Sequence, residues 1–270
     1  MVAVVHRGSR PQSLLDASYT VDRSHWLARE LVWAPRPVAG GWVVDPASGA
    51  VCARLGNATT AIADDDSAIA TSYDGSGDGW DTPSPANPSA TGQYTLACWI
   101  NIAIATTSDV LQVEGNDALL LRFQATSSTV RWGHKNASGT FIGPSVTGAW
   151  TANTTTHYAM TYDGATQRLY RDGAQVGTNS VGGGLLSQTA DWRIGIHSGG
   201  SANPTNGRVW RVYGWTRALG ADEVAALYAG VDLELWSRRR LFLLPSAAPS
   251  GFQPAWAARS TVTIVGGVAA

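Results

Sequence analysis

The chain has 270 residues, a formal net charge of -1 and only 14% charged residues, so it offers no strong field to hold nucleic acid or an anionic membrane. No apolar run approaches the roughly 18 residues of a spanning helix. The opening MVAVVHRGSRPQSLL is too short in apolar character for a signal peptide, and two cysteines, Cys52 and Cys98, make neither a disulfide framework nor a zinc site. Thirty glycines and twelve tryptophans, many Thr, Val and Ser and little helical periodicity favour an all-β protein.

Residues 1–30 are mixed and polar, without a clear period, and read as an N-terminal arm or a lead-in strand. Residues 31–66 set Trp33 and Trp42 among Pro35, Pro37, Gly40 and Gly41 and end in Asp64, Asp65 and Asp66, a pattern of short strands and turn breaks. Residues 67–73 form a strand signal, followed by the turn-rich DGSGDGWDTPSPANPSATG. QYTLACWINI (93–102) is almost unbroken in apolar character, as in a strand buried on both faces. Residues 109–114 and 118–124 flank Gly115-Asn116-Asp117, a hairpin signal. Residues 129–135 alternate Val130, Trp132 and His134 against Arg131 and Gly133. In HYAMTYDGATQRLYRDG, Asp163-Gly164 joins two strands and Asp172-Gly173 turns the chain into a third. Residues 190–197 and 207–216 complete the set. In the last, strict alternation puts Val209, Arg211, Tyr213 and Trp215 on one face and Trp210, Val212 and Gly214 on the other.

One short helix follows. Gly220 sits at its N-cap, Asp222 and Glu223 fall in the first turn, Val224, Leu227 and Tyr228 make its apolar face, and Gly230 ends it. About ten short strands and one helix indicate a two-sheet sandwich over residues 31–230. Residues 231–270 form a C-terminal extension: Arg238-Arg239-Arg240, Leu241-Phe242-Leu243-Leu244, a Pro/Ala/Ser spacer, then a β-prone run through Val262 and Ile264.

The segments SYDGSGDGWDTP (72–83), YTLACWINI (94–102), HYAMTYDGATQRLYRDGAQVG (157–177) and GRVWRVYGWTRALGADEVAALY (207–228) together resemble the laminin-G-like jelly roll of the concanavalin A-like lectin/glucanase superfamily. The flanks SHWLARELVWA (24–34), ELWSRRRLFLLP (234–245) and PAWAARSTVTIVGG (254–267) are similar to those of laminin-G-like proteins from tailed-phage and prophage structural gene clusters. The resemblance spans about residues 20–267. It implies an all-β, two-sheet antiparallel jelly-roll sandwich with one short C-terminal helix and extended terminal arms, serving as a binding or structural module.

Members of this superfamily often bind calcium, which takes six to eight oxygen ligands. The acids Asp74, Asp78 and Asp81 in the D-G-S-G-D-G-W-D loop are the candidates, although the loop lacks EF-hand spacing and Asp and Gly equally serve to make turns. No cofactor is required. Trp80, in the same loop, is the candidate for stacking on a sugar ring, whereas Trp99, Trp132, Trp192, Trp210 and Trp215 fall within strands and read as core. Glutamate occurs only at positions 30, 114, 223 and 234, with no carboxylate pair in a strand, and neither H-E-x-x-H nor G-x-S-x-G is present. Cys98 reads as a buried thiol; a bond to Cys52 is the alternative.

These features lead to a non-enzymatic tailed-phage virion protein, a surface or decoration component of capsid or tail, with other virion proteins and copies of itself as partners. Arg238, Arg239 and Arg240 would meet acidic groups on a neighbour, or simply be solvated. Val262 and Ile264 would add as a strand to a sheet edge. The alternative function is a glycan-binding adsorption module. Neither reading involves nucleic acid or a membrane.

Overall fold

The computed structural model describes residues 19–38, 41–62, 69–83, 91–103, 108–113, 119–124, 128–186, 191–196, 203–231 and 236–238. Two large antiparallel sheets dominate. The first runs in the order β18 (Ala174–Ser180), β17 (Thr166–Arg171), β16 (Thr156–Tyr162), β10 (Tyr94–Ile102), β20 (Asn206–Trp215), β8 (Ile69–Asp74), β7 (Thr59–Ile62), with β2 (Leu31–Trp33) also on β20. The second runs β14 (Phe141–Ile142), β13 (Thr129–Lys135), β12 (Leu119–Gln124), β11 (Ser108–Val113), β19 (Trp192–Ile194), β9 (Gly79–Thr82), β6 (Ala53–Leu55), with β15 (Ser145–Val146) on β13. A three-stranded sheet joins β3 (Arg36–Val38), β4 (Trp42–Asp45) and β5 (Ala50–Val51). A ribbon pairs β1 (Tyr19–Val21) with β21 (Trp236–Arg238).

Between the large sheets lies a core that includes Trp33, Tyr94, Leu96, Cys98, Phe123, Trp132, Tyr158, Met160 and Trp192. A second apolar layer covers the outer face of the first sheet. There Ala97, Trp99, Tyr170, Trp210, Tyr213 and Trp215 pack under Leu27, Ala28 and Leu31 and under Leu219, Val224 and Leu227. Central strand β10 therefore buries both faces, which is why its sequence shows no polar alternation. Each Leu or Val so buried is worth about 1.5–3 kcal/mol. The Asp163-Gly164 and Asp172-Gly173 turns join β16, β17 and β18 as expected, and β11 and β12 pair as the hairpin signal indicated.

Strand β20 departs from simple alternation. Trp99 pairs with Trp210 and Ala97 with Tyr213, so Cys98 stands against both Arg211 and Val212. This β-bulge carries Arg211 at φ 47° and resets the phase. Val209 and Val212 face the inter-sheet core, while Trp210, Tyr213 and Trp215 share the outer face.

The one α-helix among the described residues, α1 (Ala221–Tyr228), starts at Gly220, whose N–H donates to the Glu223 carboxylate at 2.8 Å. Arg217 donates to the same side chain. Val224 and Leu227 are buried, but Tyr228 is 46% exposed, so it stands at the rim rather than on the buried face. Within the segment read as an N-terminal arm, residues 19–30 include a short strand and pack on the first sheet. The Trp215 indole N–H donates to the Leu27 carbonyl at 2.7 Å and the Thr216 N–H to that of Glu30 at 3.1 Å. Residues 239–270 lie outside the described residues.

Candidate functional site

The glycine-rich loop is held by its own acids. Asp74 accepts from the Ser76 N–H at 2.8 Å and the Asn57 amide at 3.1 Å. The Asn57 bond is the main cause that lowers its pKa from the ordinary carboxylate value. Asp78 is buried and accepts from the Asn57 N–H at 2.8 Å and the Asp74 N–H at 3.2 Å, which locks this loop to the turn at residues 56–57. Gly56, at φ 60°, is required there, because a Cβ would lie 2.5 Å from Asp78 Oδ1. Asp81 points to the other side of β9 and forms a two-pronged ion pair with Arg193, with Arg193 Nη2 2.7 Å from Asp81 Oδ2.

Asp74 and Asp78 therefore lie together at Asn57, while Asp81 is turned away to Arg193, so the three acids considered for calcium do not converge. Two of them satisfy backbone donors and the third a guanidinium. No group of three His, Cys, Asp or Glu among the described residues is arranged to hold a metal.

Trp80 is a correction. It is 1% exposed and lies in the inter-sheet core. The strand starts one residue before it, and β9 sits between β19 and β6, so alternation turns Trp80 and Thr82 inward and Asp81 outward. The cysteines are both buried and free, so the alternative of a disulfide does not hold. Burial pushes the Cys52 thiol up to about 12, and its sulfur lies 3.2 Å from Thr82 Oγ1. Of the proposed assembly residues, Arg238 pairs with Tyr19 in the ribbon. Arg239, Arg240, Val262 and Ile264 lie outside the described residues.

Two buried histidines are neutral. Gln167 Nε2 donates to His134 Nδ1 at 2.9 Å, and burial pushes this imidazole down to about 4. His157 is pushed down to about 3, by burial first and then by the Arg211 charge. Its ring lies 4.2 Å from that of Trp99.

The accessible aromatic groups lie elsewhere. Trp42, 43% exposed, projects from the start of β4, the strand on which Val43, Val44 and Asp45 are all buried. Asp45 fixes that strand to the body by accepting from the Ala34 N–H at 2.8 Å and the Ala47 N–H at 3.0 Å. Register places Trp42 opposite Val38 and Val44 opposite Val51, so Trp42 and the exposed Val51 share a face. Sequence reasoning did not single out Trp42, although its place directly after Gly40-Gly41 at a strand start was the available signal.

The outer face of the second sheet is charged. Arg131 and Lys135 on β13, Arg122 on β12 and Arg193 on β19 lie on that face, Arg193 buried in its pair with Asp81. Arg131 stands directly opposite Arg122, and its guanidinium lies 4.4 Å from the centre of the Phe141 ring.

Two large antiparallel sheets packed face to face in this strand order define the fold class. The chain belongs to the concanavalin A-like lectin/glucanases superfamily, whose laminin-G model matches residues 74–225. No curated protein matches by sequence. Among solved structures, the binding domain of Paraclostridial Mosquitocidal Protein 1 is similar with a TM-score of 0.62 at 14% identity, over 75% of this chain and 52% of that one. The binding domain of botulinum neurotoxin serotype D gives 0.60 at 12% identity, over 75% and 52%. The binding domain of botulinum neurotoxin DC in complex with SialylT gives 0.61 at 10% identity, again over 75% and 52%. This chain thus spans about half the length of those it resembles, and at such identities the likeness shows the fold alone.

Proposed function

We propose that the chain is a non-catalytic recognition module that binds carbohydrate, with Trp42 as its stacking platform. The observation that carries this reading is an indole 43% exposed on a strand whose next residue is fully buried. A flat apolar surface held rigidly loses little entropy when a pyranose face covers it. The solved neighbours are binding domains, one of them a SialylT complex, which agrees in kind. Catalysis by a carboxylate pair finds no support in the described glutamates: Glu30 sits beside Arg29, and Glu223 is committed to the start of α1. A glycan array with the whole protein tests the reading. Neutral glycans should bind, and Trp42→Ala should lower affinity at least about tenfold, the value of one good stacking contact. An empty array, or a Trp42→Ala variant that binds as the parent does, rejects it.

A second reading, a surface component of a tailed-phage virion, is favoured by the ribbon. Tyr19 pairs with Arg238, so the chain enters and leaves the described body at adjacent points. Arms that start together can engage one neighbouring surface, either another virion protein or a second copy, with Arg238, Arg239, Arg240, Val262 and Ile264 as contacts. Both readings hold together if the particle displays the module outward. Loss of residues 246–270 should abolish incorporation into particles; normal occupancy in purified virions would reject this second reading.

A further inference from the structure

A sheet that does not close leaves its outermost strands with main-chain groups in need of a partner, and such edges are ordinarily guarded by lysine, proline or brevity. Among the strands that end the two large sheets, β7 has four residues, β6 three, and β14 and β15 two each. The strand β18 has seven, AQVGTNS, without a charge or a proline, and among the described residues it pairs with β17 alone. It is firmly seated. A Cβ at Gly177 would lie 2.6 Å from the Trp132 ring and 2.7 Å from Val146. Val176 packs against the inter-sheet core, and the Asn179 amide donates to the Gln167 side chain at 3.3 Å. A bulge at Val176 interrupts the ladder, so regular pairing runs from Gly177 to Ser180. Just beyond it the Val181 N–H donates to the Ala165 carbonyl at 2.7 Å. Main-chain direction alternates along a strand, so Gly177 and Asn179 face β17, while the main-chain groups of Thr178 and Ser180 point away from the sheet. The side chains of Thr178 and Ser180 are exposed.

We propose that β18 is a self-association edge, which pairs antiparallel with β18 of a second copy about a two-fold axis through Asn179. The register follows from the outward main-chain groups. With Thr178 opposite Ser180 of the partner subunit, and Ser180 opposite Thr178 of the partner subunit, both residues exchange N–H and C=O bonds. Asn179 then faces itself as the non-hydrogen-bonded pair. Hydroxyl side chains opposite one another are a favourable cross-strand combination. A second copy fits better than a foreign strand, because the exposed Ala174, Gln175, Thr178 and Ser180 offer no charge and little apolar surface by which to select one. The same patch on both partners closes the association at two. Tyr228, 46% exposed, adds an apolar group beside the interface. It lies against Gly173 at the start of the strand, where a Cβ would be 3.1 Å from its ring. The interface uses neither Trp42 nor residues 239–270, so it stands whichever reading above holds.

Sedimentation of the whole protein should show a monomer–dimer equilibrium, and its unfolding midpoint should rise with concentration. Thr178→Lys combined with Ser180→Lys sets lysine opposite lysine and should raise the dimer dissociation constant at least about tenfold. At dilutions where the parent is monomeric, this variant should unfold at the parent's midpoint, which separates lost association from lost folding. Thr178→Lys combined with Ser180→Glu sets opposite charges across the same register and should dimerise at least as well as the parent. Asn179→Cys should oxidise to a disulfide-linked dimer, since a non-hydrogen-bonded antiparallel pair brings its Cα atoms to about 4.5 Å, and Gln175→Cys should not. The native Cys52 and Cys98 are buried and do not compete. Ile264→Asp should leave the dimer intact. A parent that is monomeric at every concentration, or a dimer that survives the double lysine substitution, would overturn the proposal. A monomeric Lys–Glu variant, or no disulfide through Asn179→Cys, would overturn the register. A dimer lost in Ile264→Asp would put residues 260–265 at the interface in place of the second β18, and would overturn the proposal as well.

Discussion

His157 is fully buried with neither ring nitrogen bonded among the described residues, and it can stay neutral there only because its pKa is held down to about 3. His134 is held down to about 4. Both folded values lie below the ordinary 6.5, so their contribution to stability is complete above that pH. As pH falls, the unfolded imidazoles take protons that the folded ones refuse. Each histidine then removes about 1.4 kcal/mol per pH unit, until about pH 4 for His134 and about pH 3 for His157. Denaturant midpoints should therefore drop between about pH 7 and pH 5, where few carboxylates titrate. His157→Phe keeps the stacking on Trp99 and should flatten that slope; an equal slope in the variant contradicts the assignment. The Arg193–Asp81 pair gives a second test at this scale, with side chains only 6% and 13% exposed. Arg193→Met strands a carboxylate and should cost about 3–5 kcal/mol in urea unfolding, most of it recovered when Asp81→Leu is added. None of this was readable in the sequence. The two partners lie 112 residues apart, and nothing near Asp81 distinguishes an ion pair from a turn or a metal ligand.

At the scale of elements, local chemistry was legible wherever a turn or cap is made by neighbouring residues. Asp163-Gly164 and Asp172-Gly173 both make the turns expected of them, with Gly164 at φ 100° and Gly173 at φ 79°. The start of α1 was equally visible in Gly220 and Glu223. Glu223→Ala removes the acceptor for the Gly220 N–H and for Arg217, and should destabilise the fold by about 1 kcal/mol, measured by thermal unfolding. A loss below about 0.3 kcal/mol would place the capping elsewhere. What local reading missed depends on partners distant in the chain. The phase of β20 breaks at Arg211, a residue type that gives no warning of a left-handed backbone. Trp80 follows four glycine- and aspartate-rich positions that suggest an open loop, yet β6 and β19 capture it as a strand residue. The apposition of Arg122 and Arg131 was missed for the same reason, since it arises only through the β12–β13 register.

For the whole molecule, the sandwich buries most of its large aromatics, and among the described residues Trp26, Trp42 and Tyr228 remain exposed, Trp42 alone of them on the three-stranded sheet. The second apolar layer, built from Leu27, Ala28 and Leu31 over the outer face of the first sheet, makes the segment from residue 19 part of the body rather than a leash. The ribbon that closes this segment has a mechanical consequence. Val21 pairs with Trp236 and Tyr19 with Arg238, so both strands run outward at the same end. Tension that draws residues 19 and 238 apart meets their hydrogen bonds one at a time, as a zipper is opened, rather than all together in shear. Tension applied to both in the same direction passes through the ribbon as a single cord. A force-spectroscopy trace pulled between these two residues should therefore show a short, low-force opening first, with the sandwich yielding only later and at higher load.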